Sequence, residues 1–246
     1  MGTRWAVDST ISGMRNIEVL PGQVQLWWAS LDVSESETDR LQGMLASDEL
    51  RRADRFRVAV AARRFIGARA ALRMILGRAT GAEPAELEFR LGENGKPRLV
   101  DDAPCFNASD SGDYVVVALA PLEVGVDIEL IRTLHRHDRL ARRVCTDREL
   151  EMIAQAPEEE RDTLLLRLWT CKEAALKAVG IGLSGGMRNV EVQLETPGVP
   201  RLARLLDRAD HWSLLVPDLH PKLLCSVVIK DGGWRAVSRQ FSLHSM

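Results

Sequence analysis

Residues 125–130 read GVDIEL, and they close an apolar run that begins at Ala118. The run predicts a buried strand, and alternate side chains of a strand face the same side of its sheet. Asp127 and Glu129 therefore share one side. Two like charges this close raise the pKa of one carboxyl group unless water or a cation compensates them. The segment is either the wet face of an amphipathic strand or half of a cation site.

A second segment, WTCKEAALKAVGIGL at 169–183, reads as the end of a long helix. Glu173 and Lys177 lie four residues apart and so share one stripe of that helix. The pair could be an ordinary surface ion pair, which contributes roughly 0.2–1 kcal/mol. Beside the two acids of the strand it has a sharper use, because Mg²⁺ prefers oxygen ligands that it shares with substrate phosphates. The lysine would then supply a point charge for a phosphate.

Composition limits the class of protein. The 246 residues include 33 Lys and Arg against 35 Asp and Glu, which gives a net charge of −2. Because no polybasic face is implied, we do not expect a nucleic-acid partner. The chain has no run of ~18 apolar residues and its N-terminus lacks a signal peptide's apolar core, so we expect a cytoplasmic protein without a membrane span. The four cysteines have no CxxC spacing, which favours reduced thiols over a zinc site.

Apolar periodicity and helix signals give a coarse order of elements. The predicted strands span 23–28, 87–91, 113–120, 125–130, 189–194, 211–216 and 223–229. The predicted helices span 62–77, 147–156 and 161–180. Gly77 is read as the stop of the first of these helices, and a capping box at Thr146 opens the second. Ser47 looks like a further helix start, and GENGKP at 92–97 predicts a turn.

The chain also matches itself. LEFRLGENGKPRL at 87–99 falls on VEVQLETPGVPRL at 190–202 without a gap. The identical pairs are Glu88/Glu191, Leu91/Leu194, Gly95/Gly198, Pro97/Pro200, Arg98/Arg201 and Leu99/Leu202. The same shift places Gly77 on Gly180 and Ala70 on Glu173. The match could be chance between two similar helix–strand–turn units, or it could be a duplication.

Duplication predicts an α+β fold made of two similar α/β halves related by a pseudo-twofold axis. Each half would have a long helix packed on a small antiparallel sheet. The halves are predicted at 1–121 and 122–246, joined near Pro121, with the active site in the cleft between them. Because Glu173 falls opposite an alanine, the acids are not part of the repeated scaffold, which suggests that they belong to a site.

Taken together, the motifs resemble a known family. GVDIE followed by W-x-x-K-E-A-x-x-K-A-x-G-x-G-L resembles the 4′-phosphopantetheinyl transferases of the larger, surfactin-synthetase-activating (Sfp-like) type. Three further blocks, RFIGARAALRMIL, NGKPRL and FNASDSGDYVVVALA, resemble stretches of the same family in the same order. The resemblance covers about residues 25–230, nearly the whole chain.

The resemblance implies an activity. Such enzymes move the phosphopantetheine arm of coenzyme A (CoA) onto a serine of an apo acyl, peptidyl or aryl carrier protein and release adenosine 3′,5′-bisphosphate. By analogy, Asp127, Glu129 and Glu173 would hold Mg²⁺, with Mn²⁺ as an alternative. Glu173, directly or through a metal-bound water, would be the base for the carrier serine. Lys177 would hold the pyrophosphate, with Lys172 as a weaker candidate.

The resemblance also implies where CoA lies. Gly95 and Lys96 fall in the family's adenine and 3′-phosphate region, and Arg69 matches an arginine that contacts CoA in relatives. Each has a simpler reading. Lys96 could be an ordinary turn lysine, and Arg69, like Arg73, could be a solvated helix residue.

One position departs from the family pattern. The chain reads Asn107, Ala108, Ser109 and Asp110 where the family has a histidine in the last place that helps to hold the CoA phosphates. Asn107, Ser109 and Asp110 are all counted as CoA-binding candidates. A nearby cation could neutralise Asp110, the loop could let only Ser109 and backbone donors reach phosphate, or CoA could bind weakly. The last case leaves open a non-catalytic or weakly active module that binds CoA or carrier proteins.

Carrier proteins present an acidic helix, so a basic and apolar docking face is expected. The stretch from Leu130 to Arg148 follows the acidic strand directly. It contains Arg132, Arg136, Arg139, Arg142 and Arg143. The stretch could equally be a solvated basic helix. Two fused halves predict a monomer, and the sequence does not separate fatty acid, polyketide and nonribosomal peptide biosynthesis.

Overall fold

The computed structural model describes residues 7–8, 17–92, 94–101, 104–182, 186–195, 199–206 and 211–244. The helices are α1 (Glu35–Gln42), α2 (Ser47–Ala53), α3 (Ala59–Thr80), α4 (His137–Val144), α5 (Asp147–Gln155) and α6 (Glu158–Ala178). The strands are β1 (Val7–Asp8), β2 (Gln23–Ser30), β3 (Phe89–Leu91), β4 (Pro97–Leu99), β5 (Cys105–Ser111), β6 (Tyr114–Ala120), β7 (Val124–Leu130), β8 (Val190–Glu195), β9 (Val199–Leu205), β10 (Trp212–Leu215), β11 (Leu223–Lys230) and β12 (Arg235–Gln240). Residues 1–6, on which the signal-peptide prediction rests, and Leu183 and Gly198 of the predicted motifs lie outside the described residues.

The larger sheet has the strand order β1-β12-β2-β6-β5. Strands β2, β6 and β5 pair antiparallel, but β12 pairs parallel with both β1 and β2. The sheet is therefore mixed, and the predicted purely antiparallel sheet is wrong for this half. Helix α3 packs against the sheet through Leu72, Ile75 and Leu76, which share one core with Trp27 and Val117.

The second sheet is antiparallel, with the order β10-β11-β7. Helix α6 packs against it, and Leu168 and Ala175 share a core with Val228 of β11. Another apolar cluster joins the two sheets and includes Val116 of β6 and Val126 of β7. The predicted α+β class is therefore confirmed.

The end of the chain returns to the first half. Strand β12 lies between β1 and β2, and Phe241 and Leu243 are buried in the core of α3. This last segment therefore packs with elements of the first half, while the predicted division into 1–121 and 122–246 stays a prediction. The cause is long-range pairing: β2 binds β6 on one side and needs a second partner on the other, which no local pattern reveals.

Two short hairpins have the same register. The facing pairs are Phe89/Leu99, Arg90/Arg98 and Leu91/Pro97 in β3–β4, and Val192/Leu202, Gln193/Arg201 and Leu194/Pro200 in β8–β9. These are the positions that the internal sequence match superimposes. The two matched segments therefore form the same local structure, while the pseudo-twofold relation between the halves stays a prediction.

Helix α3 does not stop at Gly77, as the sequence predicted. It continues to Thr80 and ends at Gly81, whose φ of 80° suits a residue without a side chain. Gly77 lies inside the helix. A Cβ atom at this position would come within 2.7 Å of Ala82 O, which explains why the residue is a glycine. The glycine thus permits a close approach of the chain that follows the helix.

The four cysteines are free, and Cys145, Cys171 and Cys225 are buried. Burial raises the pKa of Cys145 to about 12 and that of Cys171 to about 11. These two thiols are therefore protonated near neutral pH and are poor nucleophiles. Separately, none of the helices in the described ranges combines the length and the apolar character that crossing a membrane requires.

Candidate active site

Helix α6 lies directly on strand β7 because Gly125 has no side chain. A Cβ atom at Gly125 would lie 2.1 Å from Ala174 O and 2.2 Å from Ala178 N. Such a distance is a clash, so the helix can lie this close only when residue 125 is glycine. The contact brings the stripe that carries Glu173 and Lys177 alongside the acidic strand.

Asp127 is nearly buried, with 5% of its surface exposed. Its Oδ1 atom accepts hydrogen bonds from Lys177 Nζ at 2.7 Å and from Ser109 Oγ at 2.8 Å. Its Oδ2 atom is buried and has no hydrogen-bond partner among the described residues. Burial raises the pKa of Asp127, while the charge and hydrogen bond of Lys177 oppose that rise. One carboxylate oxygen is thus held ready for a partner that these residues do not supply.

Glu173 lies on α6 and is 7% exposed. Burial raises its pKa from 4.5 to about 7, and the negative charge of Asp127 adds to the rise more strongly than that of Glu129. Lys177, one helical turn away, only partly offsets these effects. A carboxyl group with a pKa near neutrality can accept and release a proton at physiological pH.

Glu129 faces the same neighbouring strand as Asp127 but has different partners. Its Oε2 atom accepts hydrogen bonds from Ser111 Oγ at 3.0 Å and from Arg132 Nη1 at 2.8 Å. Arg132 is exposed, so this ion pair lies at the surface. Glu129 is therefore turned toward Ser111 and Arg132.

Strand β5 binds the edge of β7 through side chains. The hydrogen bonds run from Val126 N to Asn107 Oδ1 (2.9 Å), from Ile128 N to Ser109 Oγ (3.4 Å) and from Leu130 N to Ser111 Oγ (3.2 Å). Alternate residues of a strand face one side, so this polar stripe can satisfy successive N–H groups of β7. The two serines also donate to the two acids. The stripe thus fixes where both carboxylates lie.

The acids fit a divalent cation in two respects. Asp127 has a buried carboxylate oxygen without a partner, and the anionic form of Glu173 is disfavoured by burial and by its acidic neighbour. A cation between the two residues would bind the unpartnered oxygen of Asp127 and would stabilise the anionic form of Glu173. Across the ranges that the structure describes, no three His, Cys, Asp or Glu side chains already form a metal-binding group. Glu129 in particular would have to turn from Ser111 to join the other two.

Three cavities meet at Pro97, next to these acids. The smallest, about 240 Å³, is lined by Gly95, Asn107 and Lys177. The others measure about 500 Å³ and about 680 Å³ and extend along α2 and α3. Because Pro97 lines all three, the cavities adjoin one another along a path from Lys177 to the N-terminal helices.

Several of the predicted CoA-binding residues line this path. Ser109 and Asp110 line the 500 Å³ cavity, and Arg69 lines both larger cavities and pairs with Glu49. Arg52, in both cavities, and Arg64, in the 500 Å³ one, were not predicted. The sequence signal that could have indicated these arginines was the basic composition around α2. Arg64 also forms an ion pair with Asp113 at 2.7 Å.

Lys172 does not face these cavities, which corrects its prediction as a second pyrophosphate contact. Its side chain is fully buried and donates to Glu149 Oε2 at 2.5 Å, Val144 O at 2.9 Å and Met187 O at 3.2 Å. Three acceptors use all three hydrogens of an ammonium group. Lys172 is therefore a structural residue that ties α6 to α5.

The first half contains a similar buried pair. Arg73, 2% exposed, donates to Glu49 Oε2 at 2.5 Å and to the carbonyl oxygens of Pro84 and Leu87. In both halves the glutamate also accepts from the backbone N–H that precedes its short helix. Arg73 is therefore not the solvated helix residue that was one reading of the sequence. Arg69 is only partly exposed and shares Glu49 with it.

Lys96, which the resemblance assigns to the adenine and 3′-phosphate region, is bound by oxygen atoms of the protein itself. Its ammonium group donates to Glu123, to Val124 O and to Ala178 O, and its side chain is 9% exposed. Gly95, with a φ of 83°, keeps its predicted place in the turn and lines the cavity path.

The basic stretch after β7 forms α4 and the loop before it. The five arginines named above are exposed, whereas Leu134 and Leu140 pack against the core of α6. Ile131 is 43% exposed. The face is therefore basic with one apolar residue, and its leucines belong to the core.

Comparison with known proteins finds relatives of one family. A family model described as the 4′-phosphopantetheinyl transferase superfamily matches residues 123–228, which span β7, α6 and β11. The 4′-phosphopantetheinyl transferase HetI of Nostoc sp. is 36% identical over 227 residues, covering 89% of this chain and 93% of HetI. The 4′-phosphopantetheinyl transferase Sfp of Bacillus subtilis is 26% identical over 205 residues, covering 82% of this chain and 85% of Sfp.

Among solved structures, a holo-(acyl-carrier-protein) synthase from Bacillus anthracis in complex with CoA (3′,5′-ADP) aligns with a TM-score of 0.39 and 22% identity. That alignment covers 45% of this chain and 97% of the synthase. The likeness to HetI, at this identity and over nearly the whole of both chains, decides the family. The chain belongs to the 4′-phosphopantetheinyl transferase superfamily.

Proposed function

We propose that the protein transfers the 4′-phosphopantetheine arm of CoA to a serine of an apo carrier protein and releases adenosine 3′,5′-bisphosphate. One observation carries the proposal. Asp127 and Lys177 meet across β7 and α6 beside Glu173, and one oxygen of Asp127 is buried without a partner among the described residues. The names of HetI and Sfp support the same activity.

The acids are the proposed cation site. Asp127, Glu129 and Glu173 would hold Mg²⁺, or Mn²⁺ in its place. When bound, the cation supplies positive charge to the pyrophosphate and to the phosphate that leaves. Ser109 holds Asp127 in place for this task, whereas Glu129 would turn away from Ser111 to join it.

Glu173 is the proposed base. The serine oxygen of the carrier forms a bond to the phosphorus of the pantetheine phosphate, and the bond to the bridging pyrophosphate oxygen breaks. Glu173 would take the serine proton directly or through a water molecule. Lys177 Nζ, which lies 3.0 Å from Ser109 Oγ and faces the smallest cavity, would hold a pyrophosphate oxygen.

CoA would occupy the path of three cavities. Arg52, Arg64 and Arg69 bring positive charge to the cavity that Asp110 lines, which supports neutralisation of Asp110 by nearby cations. Asn107 and the backbone at Gly95 would line the nucleotide. The path contains enough cationic groups for phosphate binding in spite of the missing histidine.

The exposed arginines of α4 and of the loop before it are the proposed contact for an acidic carrier protein, and exposed Ile131 lies in the same loop. It follows β7 directly, so a carrier bound there lies next to Glu129. We further propose that the matched hairpins reflect a pseudo-twofold duplication, and that the protein acts as a cytoplasmic monomer. A transfer assay with a panel of carriers determines whether it serves acyl, peptidyl or aryl carriers.

The test is a transfer assay with CoA, Mg²⁺ and a panel of apo carriers, read by the mass of each carrier. We expect the carrier to gain the mass of the arm, and we expect chelation of the metal to stop the gain. Glu151→Gln, at an exposed carboxylate on α5, serves as the matched control for Glu173→Gln. If CoA binds but no carrier in the panel gains mass, the protein is the non-catalytic binding module that Asp110 suggested.

A further inference from the structure

Lys96 lies on the turn between β3 and β4, and its ammonium group is surrounded by oxygen atoms of other segments. The nitrogen donates to Val124 O at 2.9 Å, Ala178 O at 3.0 Å and Glu123 Oε2 at 2.9 Å. An ammonium group has three hydrogens, so all of its donors are used. The side chain lines the smallest cavity and is 9% exposed, but its ammonium group is already bound by protein oxygens.

The two carbonyl groups belong to the elements that carry the active site. Val124 is the first residue of β7 and precedes Gly125, where the helix and the strand touch. Ala178 is the last residue of α6 and follows Lys177. Carbonyl groups in the last turn of a helix have no partner within the helix, and a cation there also complements the helix dipole. Lys96 therefore joins β7 and α6 at the contact that places Lys177.

We propose that Lys96 is a positioning residue. It holds the end of α6 against the start of β7, fixes Lys177 beside Asp127, and does not bind a phosphate of CoA. The effect on catalysis rests on the proposed function of Lys177, but the joining of the two elements does not.

Movement of Lys96 toward a ligand is disfavoured by what it would leave behind. Glu123 would keep its ion pair with Arg98, but Val124 O and Ala178 O would lose a charged donor. An acceptor left without a donor in a largely buried place is unfavourable. Binding of a phosphate to Lys96 would therefore have to offset the loss of the hydrogen bonds to both carbonyl groups.

The first experiment compares Lys96→Met, which keeps the apolar stem, with Arg98→Met. Arg98 pairs with the same glutamate but is more exposed, and it provides the matched control. In Lys96→Met we expect hydrogen exchange at the amides of Val179, Gly180 and Ile181 to accelerate by about tenfold or more without CoA, because their turn is no longer held. We expect Arg98→Met to leave these rates unchanged.

The same two variants are titrated with adenosine 3′,5′-bisphosphate without metal. A positioning role predicts that Lys96→Met changes the Kd by less than about threefold and lowers kcat more than it raises KM for CoA. A rise in Kd of about tenfold or more with unchanged hydrogen exchange would show that Lys96 is a phosphate ligand and overturn the proposal.

A labelling experiment on the unmodified protein covers the case in which Lys96→Met does not fold. An amine-reactive acetylating reagent should label exposed Lys222 rapidly and Lys96 slowly, with or without adenosine 3′,5′-bisphosphate. Rapid labelling of Lys96 in the free protein, followed by protection when the nucleotide is added, would contradict the proposal. Neither this readout nor the hydrogen exchange requires transferase activity, so each is independent of the proposed function.

Discussion

Lys177 Nζ lies 2.7 Å from Asp127 Oδ1, and this pair joins helix α6 to strand β7 at the centre of the candidate active site. Ser109 contacts both partners, as a donor to Asp127 and as an acceptor from Lys177. The second oxygen of Asp127 has no partner within the described chain. The lysine therefore compensates part of the acidic charge and leaves the rest for a cation.

The first prediction concerns this pair. Asp127→Asn and Lys177→Met should each lower kcat/KM for CoA by at least about 100-fold, because Asp127 would hold the cation and Lys177 would hold the pyrophosphate. Asp127→Asn should also abolish the rise in unfolding temperature that Mg²⁺ causes in the unmodified protein. Lys222→Met, at an exposed lysine, is the control and should keep full activity. Full activity in either site variant would contradict the proposed role of that residue in transfer.

The second prediction concerns Gly125. Gly125→Ala should destabilise the protein by at least about 3 kcal/mol, because the added Cβ would lie 2.1 Å from Ala174 O and force α6 away from β7. Urea unfolding gives the free energy directly. Gly43→Ala is the control, because its nearest neighbour would be 3.3 Å away and its φ is −62°. Equal stability of the two variants would contradict the close packing of the helix on the strand.

The third prediction concerns pH. The pKa of Glu173 is raised from 4.5 to about 7 in the folded protein, so the folded state holds this proton more tightly than the unfolded chain does. The metal-free protein should therefore lose stability relative to Glu173→Gln as pH rises from about 4.5 through about 7. At pH 8 the variant should be more stable by up to about 2–3 kcal/mol, and at about pH 4, below the unfolded pKa, the difference should nearly vanish.

Urea unfolding at both pH values measures this difference, with Glu151→Gln as the exposed control. Saturating Mg²⁺ should stabilise the unmodified protein and reduce its deficit at pH 8, since a cation favours the charged carboxylate. A difference between Glu173→Gln and the unmodified protein that does not depend on pH would mean that the carboxylate is not destabilised by burial.

The fourth prediction separates Lys172 from Lys177. Lys172→Met leaves the buried carboxylate of Glu149 without its cation, and it should destabilise the fold by about 3–5 kcal/mol. The folded fraction should keep its KM for CoA. Lys177→Met should have a large effect on transfer and a smaller effect on stability than Lys172→Met, because the Lys177 side chain is 25% exposed whereas Lys172 is fully buried. If Lys172→Met raised KM without a loss of stability, its original assignment to the pyrophosphate would stand.

The fifth prediction concerns Asp110, where the family has a histidine. Asp110→Asn removes a negative charge from a cavity that also contains three arginines, so the KM for CoA should fall by about threefold to tenfold. Asp39→Asn, at an exposed carboxylate on α1, is the control. An unchanged KM in Asp110→Asn and in Asp110→His would show that position 110 does not set the affinity for CoA.

The sequence predicted the elements whose patterns are local. The acidic strand and the long helix with Glu173 and Lys177 appear close to their predicted bounds, because periodicity depends only on neighbouring residues. The capping box at Thr146 also forms, since its two hydrogen bonds lie within four residues.

Strands β5 and β12 were not predicted as strands. The FNASDS stretch is polar at alternate positions because its side chains, rather than its backbone, bind the edge of β7. Its backbone pairs with the next strand, β6, and the polar pattern makes sense only when β7 lies beside it. β12 becomes a strand only when the end of the chain returns to β2.

Lys172 and Lys177 show the same limit within one helix. They lie five residues apart on opposite sides, and the sequence offers both as phosphate contacts. Only the packing of α6 decides between them: α5 covers Lys172 with a buried glutamate, while β7 leaves Lys177 at the cavity.

By itself, the sequence determined which residues could form the site, because motif spacing and helix or strand periodicity place acids and a lysine on defined faces. Only the tertiary structure decided which of them meet. Gly125 lets α6 touch β7, the polar stripe of β5 contacts the acids, and the ammonium group of Lys96 is bound by oxygens of β7 and α6. The physical reason is that such contacts depend on backbone close approach and on buried donors finding acceptors, and both join residues far apart in the chain.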